Sequence, residues 1–180
     1  MAGDPNDSLF MRIITPSSSL RNWTPKDAES LARHANSPRI AATMRDAFPS
    51  PYTLDDAHRF IAMATSPTTH LLLAIDRRGE AVGGIGIHPL DGVRHRSADI
   101  GYWLSESLWG KGIVTDAVRS LVPVAFGMFD VVRLQAGIFS NNPASMRVLE
   151  KCGFIREAVH KNAIVKNGEI LDEVLYVRFG

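Results

Sequence analysis

Cys152 is the only thiol in this 180-residue chain, so no internal disulfide can form and no CxxC pair exists to hold zinc. Stability has to come from packing. The six histidines, at positions 34, 58, 70, 88, 95 and 160, are scattered, and no HExxH motif presents two imidazoles on one helix face. No metal site is expected. An excess of one charge is also missing: 20 Lys+Arg against 19 Asp+Glu leave a net +1, which advertises no basic face for nucleic acid or an anionic membrane. No apolar run approaches the roughly 18 residues that span a bilayer. The opening MAGDPNDSLF carries Asp4 and Asp7 where a secretory signal would be basic and then greasy. The expectation is a cytoplasmic protein with neither nucleic acid nor membrane as partner.

What is present is ordinary for a soluble domain: 45% apolar and 22% charged residues. The length favours one core, a single domain over 1–180 with a loose terminus over 1–8. Leu9 to Thr15 reads as a weak strand before Pro16, and order begins near Leu20. Thr24-Pro25 with Asp27 predicts a capped helix from about Pro25 to Asn36. Pro38 restarts a short helical piece to about Arg45. Pro49 and Pro51 make the next segment loop, and Thr53 with Asp56 caps a further helix through Ala57, Phe60, Ile61 and Ala64.

Strands follow: His70 to Asp76 and Ala81 to His88 as a hairpin, then Ser97 to Leu104. Gly112 to about Met128 has helical periodicity, with Pro123 expected to kink or end it. Val131 to Phe139 is a strand, Pro143 to Cys152 a helix closed by Gly153, and Phe154 to Lys161 a strand. Asn167-Gly168 turns into a last strand from Glu169 to Phe179. This order implies an α+β fold, a mixed sheet with helices on both faces.

The chemistry concentrates where DIGYWL, residues 99–104, runs into LWGKGIVT, residues 108–115. A strand enters a helix through a turn whose glycines bracket Lys111. The backbone can approach a ligand there, and the unpaired N–H groups of the helix start suit phosphate oxygens. The turn is no Walker motif, because Ser105 stands where the first glycine is needed and Gly112 follows Lys111. Gly84-Ile85-Gly86 is no dinucleotide fingerprint either: Pro89 occupies the third glycine position and no helix follows. The second constellation is NNPASMRVLEKCGF, residues 141–154, a helix with Asn142 as cap, Pro143 first and Gly153 last.

Taken together, these two segments about 30 residues apart resemble the GNAT superfamily of acetyl-CoA-dependent N-acetyltransferases. The similarity is specifically to its RimJ/RimL-like branch, the ribosomal-protein N-terminal acetyltransferases, and runs from about Leu20 to Tyr176. It includes LRNWTPKDAESLARHAN and FPSPYTLDDA. The resemblance implies a mostly antiparallel central sheet in which the strand Asp99 to Leu104 splays from its neighbour. The pantetheine arm of coenzyme A would then pair with backbone near Trp103, Leu104 and Ser105, and the pyrophosphate would sit over Trp109, Gly110, Lys111, Gly112, Ile113, Val114 and Thr115. Ser107 departs from the Gln or Arg usual at the first turn position. Asn142 matches the asparagine that contacts the cofactor arm, and Ser145 the hydroxyl near the thioester sulfur.

The reaction so implied is direct attack of a neutral amine on the thioester. A peptide α-amine, with a pKa of about 7.7 to 8.0, is neutralised far more easily than a lysine near 10.4, which favours a protein N-terminus as acceptor. The Leu104 N–H is the candidate donor to the thioester oxygen. Ser145 stands in as acid for the superfamily's tyrosine, whose position is Leu149 here. Asp99 and Glu106 are the base candidates. Arg45, Phe48 and Tyr52 match the acceptor-covering loop, with a core role for Phe48 and Tyr52 left open, and Trp109 covers the cofactor or anchors the turn. Cys152, at a helix C-terminus, reads as packing. The Arg94-His95-Arg96 cluster is a solvated loop or an attraction for an acidic acceptor. Alternatives are a small-molecule amine acceptor and a non-catalytic acyl-CoA sensor. Either a monomer or a homodimer is compatible with the chain.

Overall fold

The computed structural model describes residues 11–180; the expected loose terminus and the first residues of the weak strand lie outside them. Eight strands form one sheet: β1 (Arg12–Ile14), β2 (Ser19–Asn22), β3 (Leu71–Arg77), β4 (Glu80–Pro89), β5 (Ser97–Leu104), β6 (Arg133–Phe139), β7 (Ile155–Lys166) and β8 (Glu169–Phe179). Their order is β1-β2-β3-β4-β5-β6-β8-β7, and every neighbouring pair is antiparallel except β5 with β6. The helices are α1 (Ala28–Ala35), α2 (Pro38–Ala41), α3 (Leu54–Thr65), α4 (Ile113–Met128) and α5 (Pro143–Lys151).

Local signals placed most of these. Thr24 and Thr53 each form a capping box with the aspartate three residues on, and Asn142 Oδ1 accepts from Ser145 N. Arg78-Gly79 and Asn167-Gly168 have positive φ at both positions, the backbone of a two-residue hairpin turn whose twist matches its strands.

Four expectations need correction. Strand β2 replaces what read as the bare onset of order. The helical piece from Pro38 stops at Ala41, not Arg45. β7 runs on to Lys166 because irregular pairing between His160 and Ile164, with Asn162 at φ 54°, takes up the polar residues that looked like its end. Pro123 neither ends nor interrupts α4. It lies on the exposed face, where water can serve the carbonyl one turn back that proline leaves without a donor.

The two sheet faces carry different cores. Ile113, Ala117, Leu121 and Leu149 of α4 and α5 pack on Leu73, Ile75, Ile87, Ile100 and Leu134. Leu31, Ala57 and Ile61 of α1 and α3 pack on Trp23, Ala74 and Ala81 on the other face, where Phe48 and Trp103 close the cluster. Each fully buried aliphatic side chain contributes about 1.5–3 kcal/mol. Arg21 ties β2 to this second layer, with Nε 2.7 Å from Asp76 Oδ2 and NH1 2.8 Å from Asp27 Oδ2.

Candidate active site

β5 and β6 are paired only over Ser97↔Arg133, Ala98↔Leu134 and Asp99↔Gln135. Beyond Asp99 the parallel ladder stops while both strands continue, so the strands part.

Backbone alternation decides which groups face this gap. Ser105 N donates to Val82 O at 2.8 Å and Leu90 N to Ser97 O at 2.9 Å. The odd-numbered residues of β5 therefore turn toward β4, and Ile100, Tyr102 and Leu104 turn their amides and carbonyls to the parted side. On β6, Ser140 N reaches Asp172 O at 2.9 Å and Gly180 N reaches Val132 O at 3.2 Å. Gly137 and Phe139 thus face the gap from the other side. Two carbonyls are already taken: Leu104 O accepts from Trp109 Nε1 at 2.8 Å, and Phe139 O from Asn142 N at 2.9 Å. What remains is a strip of backbone groups suited to an extended ligand with amides of its own. Of Trp103, Leu104 and Ser105, only Leu104 presents its backbone there, and Tyr102 joins it.

At the far end of β5 the chain turns through Gly110 (φ 75°) and Gly112 (φ 77°), where an added Cβ would meet nothing within 4 Å. The left-handed conformation explains the glycines, and the empty space is what a ligand approaching the backbone requires. The first helical bond of α4 is Asp116 N to Gly112 O at 3.0 Å, so the amides of Ile113, Val114 and Thr115 lack an i−4 partner and point outward. Lys111 Nζ folds back onto Ser107 O at 3.0 Å, adding positive charge beside them. The Trp109 indole, bonded to Leu104 O and lying under Arg39 at 5.0 Å, anchors this turn.

Across the gap stands the start of α5. Asn142 caps it through Ser145 N at 3.2 Å. The buried Ser145 Oγ lies 2.7 Å from Tyr102 Oη. Burial pushes the Tyr102 phenol well above its ordinary range. Leu149 is fully buried among core residues.

On the opposite face, α1 and α3 leave the sheet uncovered beyond β5. A cleft of about 520 Å³ opens there, lined by Arg45, Asp99, Gln135, Glu173 and their neighbours. Its polar groups form a chain. Gln135 Nε2 donates to Asp99 Oδ1 at 3.0 Å, Arg133 Nε donates to Gln135 Oε1 at 3.0 Å, and Arg133 NH1 reaches Glu157 Oε1 at 2.7 Å. Arg45 NH2 is 3.8 Å from Asp99 Oδ2. Glu173 pairs with His160 Nδ1 at 3.0 Å and lies over Gly137, in the parted stretch of β6. Beside Asp99 in the β4–β5 register is His88, which burial and the nearby His70 hold toward its neutral form.

The two base candidates are separated. Asp99 lies at the apex of the gap, whereas Glu106 lines another depression with Arg33, His34 and Arg39. Hydrogen bonds from Ser37 and Arg39 hold the Glu106 carboxyl below the usual range, which makes it a weaker base. Of the acceptor-loop residues, Arg45 reaches the cleft. Tyr52 is 6% exposed in the core, its phenol pushed up to about 12 by burial and by Asp56, and Phe48 packs between Tyr52 and Trp103.

Residues 19–155 match the family model of the acetyltransferase (GNAT) domain. The chain belongs to the GNAT family. This GNAT chain is 31% identical over 182 residues to YdaF of Bacillus subtilis (strain 168), covering 93% of this chain and 94% of that one; the name of YdaF points to a ribosomal N-acetyltransferase. It is 31% identical over 107 residues, 59% of each chain, to the ribosomal-protein-serine acetyltransferase of Escherichia coli (strain K12). RimJ of Mycobacterium smegmatis, solved with a coenzyme A disulfide, superposes with a TM-score of 0.81 at 24% identity, covering 94% of this chain and 86% of that one. The microcin C7 self-immunity acetyltransferase MccE, solved with acetyl-CoA and AMP, does so at 0.77 and 26%, covering 92% and 98%.

The protein is therefore an N-acetyltransferase of the GNAT family. Among the described residues no helix is long and apolar enough to cross a membrane. Tyr102, Gln135 and Glu173 are among the site residues that the sequence patterns did not single out. Tyr102 was findable, since strand alternation puts it opposite Trp103 in DIGYWL. Glu173 was not, because its place over Gly137 depends on the β6–β8 register.

Proposed function

We propose that this GNAT enzyme acetylates the α-amine of a protein N-terminus, with a ribosomal protein as acceptor in the cytoplasm and 1–180 acting as one catalytic unit. The observation that carries this reading is the open, carboxylate-bearing cleft on the face of the parted strands. A chain terminus can enter such a cleft, with its ammonium drawn to Asp99 and Glu173 and the rest of the polypeptide running out over the uncovered sheet. The names of the relatives support the same acceptor class.

In this reading the amides of Gly110 to Thr115 and Lys111 hold the diphosphate, and the free edge of β5 takes the pantetheine arm beside Asn142. Acetyl-CoA supplies an acetyl group activated as a thioester. Asp99 accepts the ammonium proton directly or through water, Leu104 N–H meets the charge growing on the thioester oxygen, and Ser145 faces the sulfur. Glu106 takes no part, being placed in a separate depression.

The test is acetyl-CoA-dependent thiol release across a panel of N-terminal peptides, polyamines, amino acids and aminoglycosides. Peptides with a free α-amine should give the highest kcat/KM, and loss of turnover on blocking that amine should follow. Turnover confined to the small amines would overturn the reading.

A further inference from the structure

Tyr102 and Ser145 meet where the β5–β6 ladder is missing, so their bond bridges the two sides of the gap. Ser145 is held from behind, its N–H spent on Asn142 Oδ1. A pair of hydroxyls 2.7 Å apart shares one hydrogen and leaves the other free. If Ser145 donates, the phenol hydrogen is left for the Ser145 carbonyl, 3.3 Å from Tyr102 Oη. If Tyr102 donates, the seryl hydrogen is left for whatever occupies the groove. Negative charge in the groove favours the second arrangement, because a charge-assisted bond is about twice as strong as a neutral one.

Resting on the reading of Ser145 as the group facing the thioester sulfur, we propose that Tyr102 is a positioning residue for acetyl transfer. By donating to Ser145 Oγ it turns the seryl hydrogen onto the departing sulfur and stabilises the thiolate. The amine nitrogen forms the new bond to the carbonyl carbon while the carbon–sulfur bond breaks with its electron pair on sulfur. The amine proton leaves through Asp99 to solvent, and sulfur takes its proton from water. Tyr102 keeps its own proton throughout, in line with a phenol that burial makes hard to ionise. Cys152 is the other titratable group acting on that phenol, and its thiol is directed to Thr115 O.

The experiment titrates the thiol of bound coenzyme A by the ultraviolet absorbance of its thiolate, in the parent, Tyr102→Phe, Ser145→Ala and the double variant. Tyr102→Phe should shift the thiol titration to higher pH by about one unit and lower kcat about tenfold, the scale of weakening one stabilising donor. Affinity for coenzyme A in its thiol form should change less than about twofold. Ser145→Ala should do at least as much, and the double variant no more than Ser145→Ala alone. Should Tyr102→Phe fail to fold, 3-fluorotyrosine at 102, a stronger donor, should move the thiol titration to lower pH. A Tyr102→Phe protein with parental thiol titration and kcat, beside an impaired Ser145→Ala, overturns the role of Tyr102 and leaves Ser145 standing. Parental behaviour of Ser145→Ala removes both. Weakened coenzyme A binding with kcat retained makes Tyr102 a structural strut and overturns the proposal as well.

Discussion

Glu173 lies directly across the backbone of Gly137, so that a β-carbon at 137 would overlap its carboxylate. Strand β6 thereby carries a negative charge at the parted stretch without contributing a side chain of its own. Gly137→Ala must drive that carboxylate off. Because the group displaced is the flexible end of a side chain, stability should change by less than about 1 kcal/mol, while kcat/KM for the amine falls by up to about 100-fold, as misplacement of a positioning group does. Adding Glu173→Ala should leave kcat/KM at the lowered value. Recovery of kcat/KM in the double variant would remove Glu173 from the acceptor site.

Asp99→Asn should lower kcat on the order of 100-fold, the scale of a lost general base, with acetyl-CoA affinity retained. The residual rate should climb with pH through the α-amine range of about 7.7 to 8.0, because only amine already neutral can then react. A pH–rate profile that superposes on the parent would exclude Asp99 as base.

Gly110→Ala and Gly112→Ala each force a β-carbon into a left-handed conformation, costing about 1–2 kcal/mol. Since no atom crowds either position, this strain is the whole folded-state cost. The larger effect should be weaker acetyl-CoA binding by calorimetry. Gly127→Ala, in open space on α4, serves as control and should stabilise by about 0.5–1 kcal/mol. Unaltered binding in both turn variants would argue against a diphosphate at this turn.

Arg21 sits between two carboxylates whose side chains are each 7% exposed. Burial pushes Asp27 up, but hydrogen bonds from Arg21 and Thr24 and the guanidinium charge outweigh it and hold its pKa below the ordinary value. A depressed folded pKa gives stability that is complete above the unfolded value near 3.9 and is lost as pH falls through the folded one. Arg21→Met should cost about 3–5 kcal/mol at neutral pH by stranding buried charge. Urea melts should show the deficit shrinking below about pH 4. An equal deficit at pH 7 and pH 3 would contradict this account.

Cys152 is 3% exposed, and burial raises its thiol pKa, so little thiolate is available for an acetyl-cysteine step. Cys152→Ala should keep kcat within about twofold while losing roughly 1 kcal/mol for the small cavity. Rapid alkylation of the folded protein, or an abolished rate, would reverse this assignment.

Much of the fold was legible because its signals are local. Capping boxes at Thr24 and Thr53, prolines 49 and 51, and the Asn167-Gly168 turn act over three or four residues, and the structure keeps them all. β2 and the end of β7 were less legible, since a four-residue strand and an irregular pairing have no periodicity until a partner strand supplies it. The glycine turn before α4 also lies in continuous sequence. The cleft beside the parted strands does not, for it gathers Arg45, Asp99, Gln135 and Glu173 from distant segments.

The amino-acid order by itself determined the reaction family, the glycine turn into α4 at residues 110–115 and the separation into helical and strand segments, because each depends on residues close along the chain. Tertiary structure decided that Tyr102 meets Ser145, that Glu173 covers Gly137 and that Asp99, not Glu106, stands at the apex of the gap. Those outcomes depend on strand register and on where one ladder ends, and a pairing between β5, β6 and β8 is settled only when the sheet closes around its two cores.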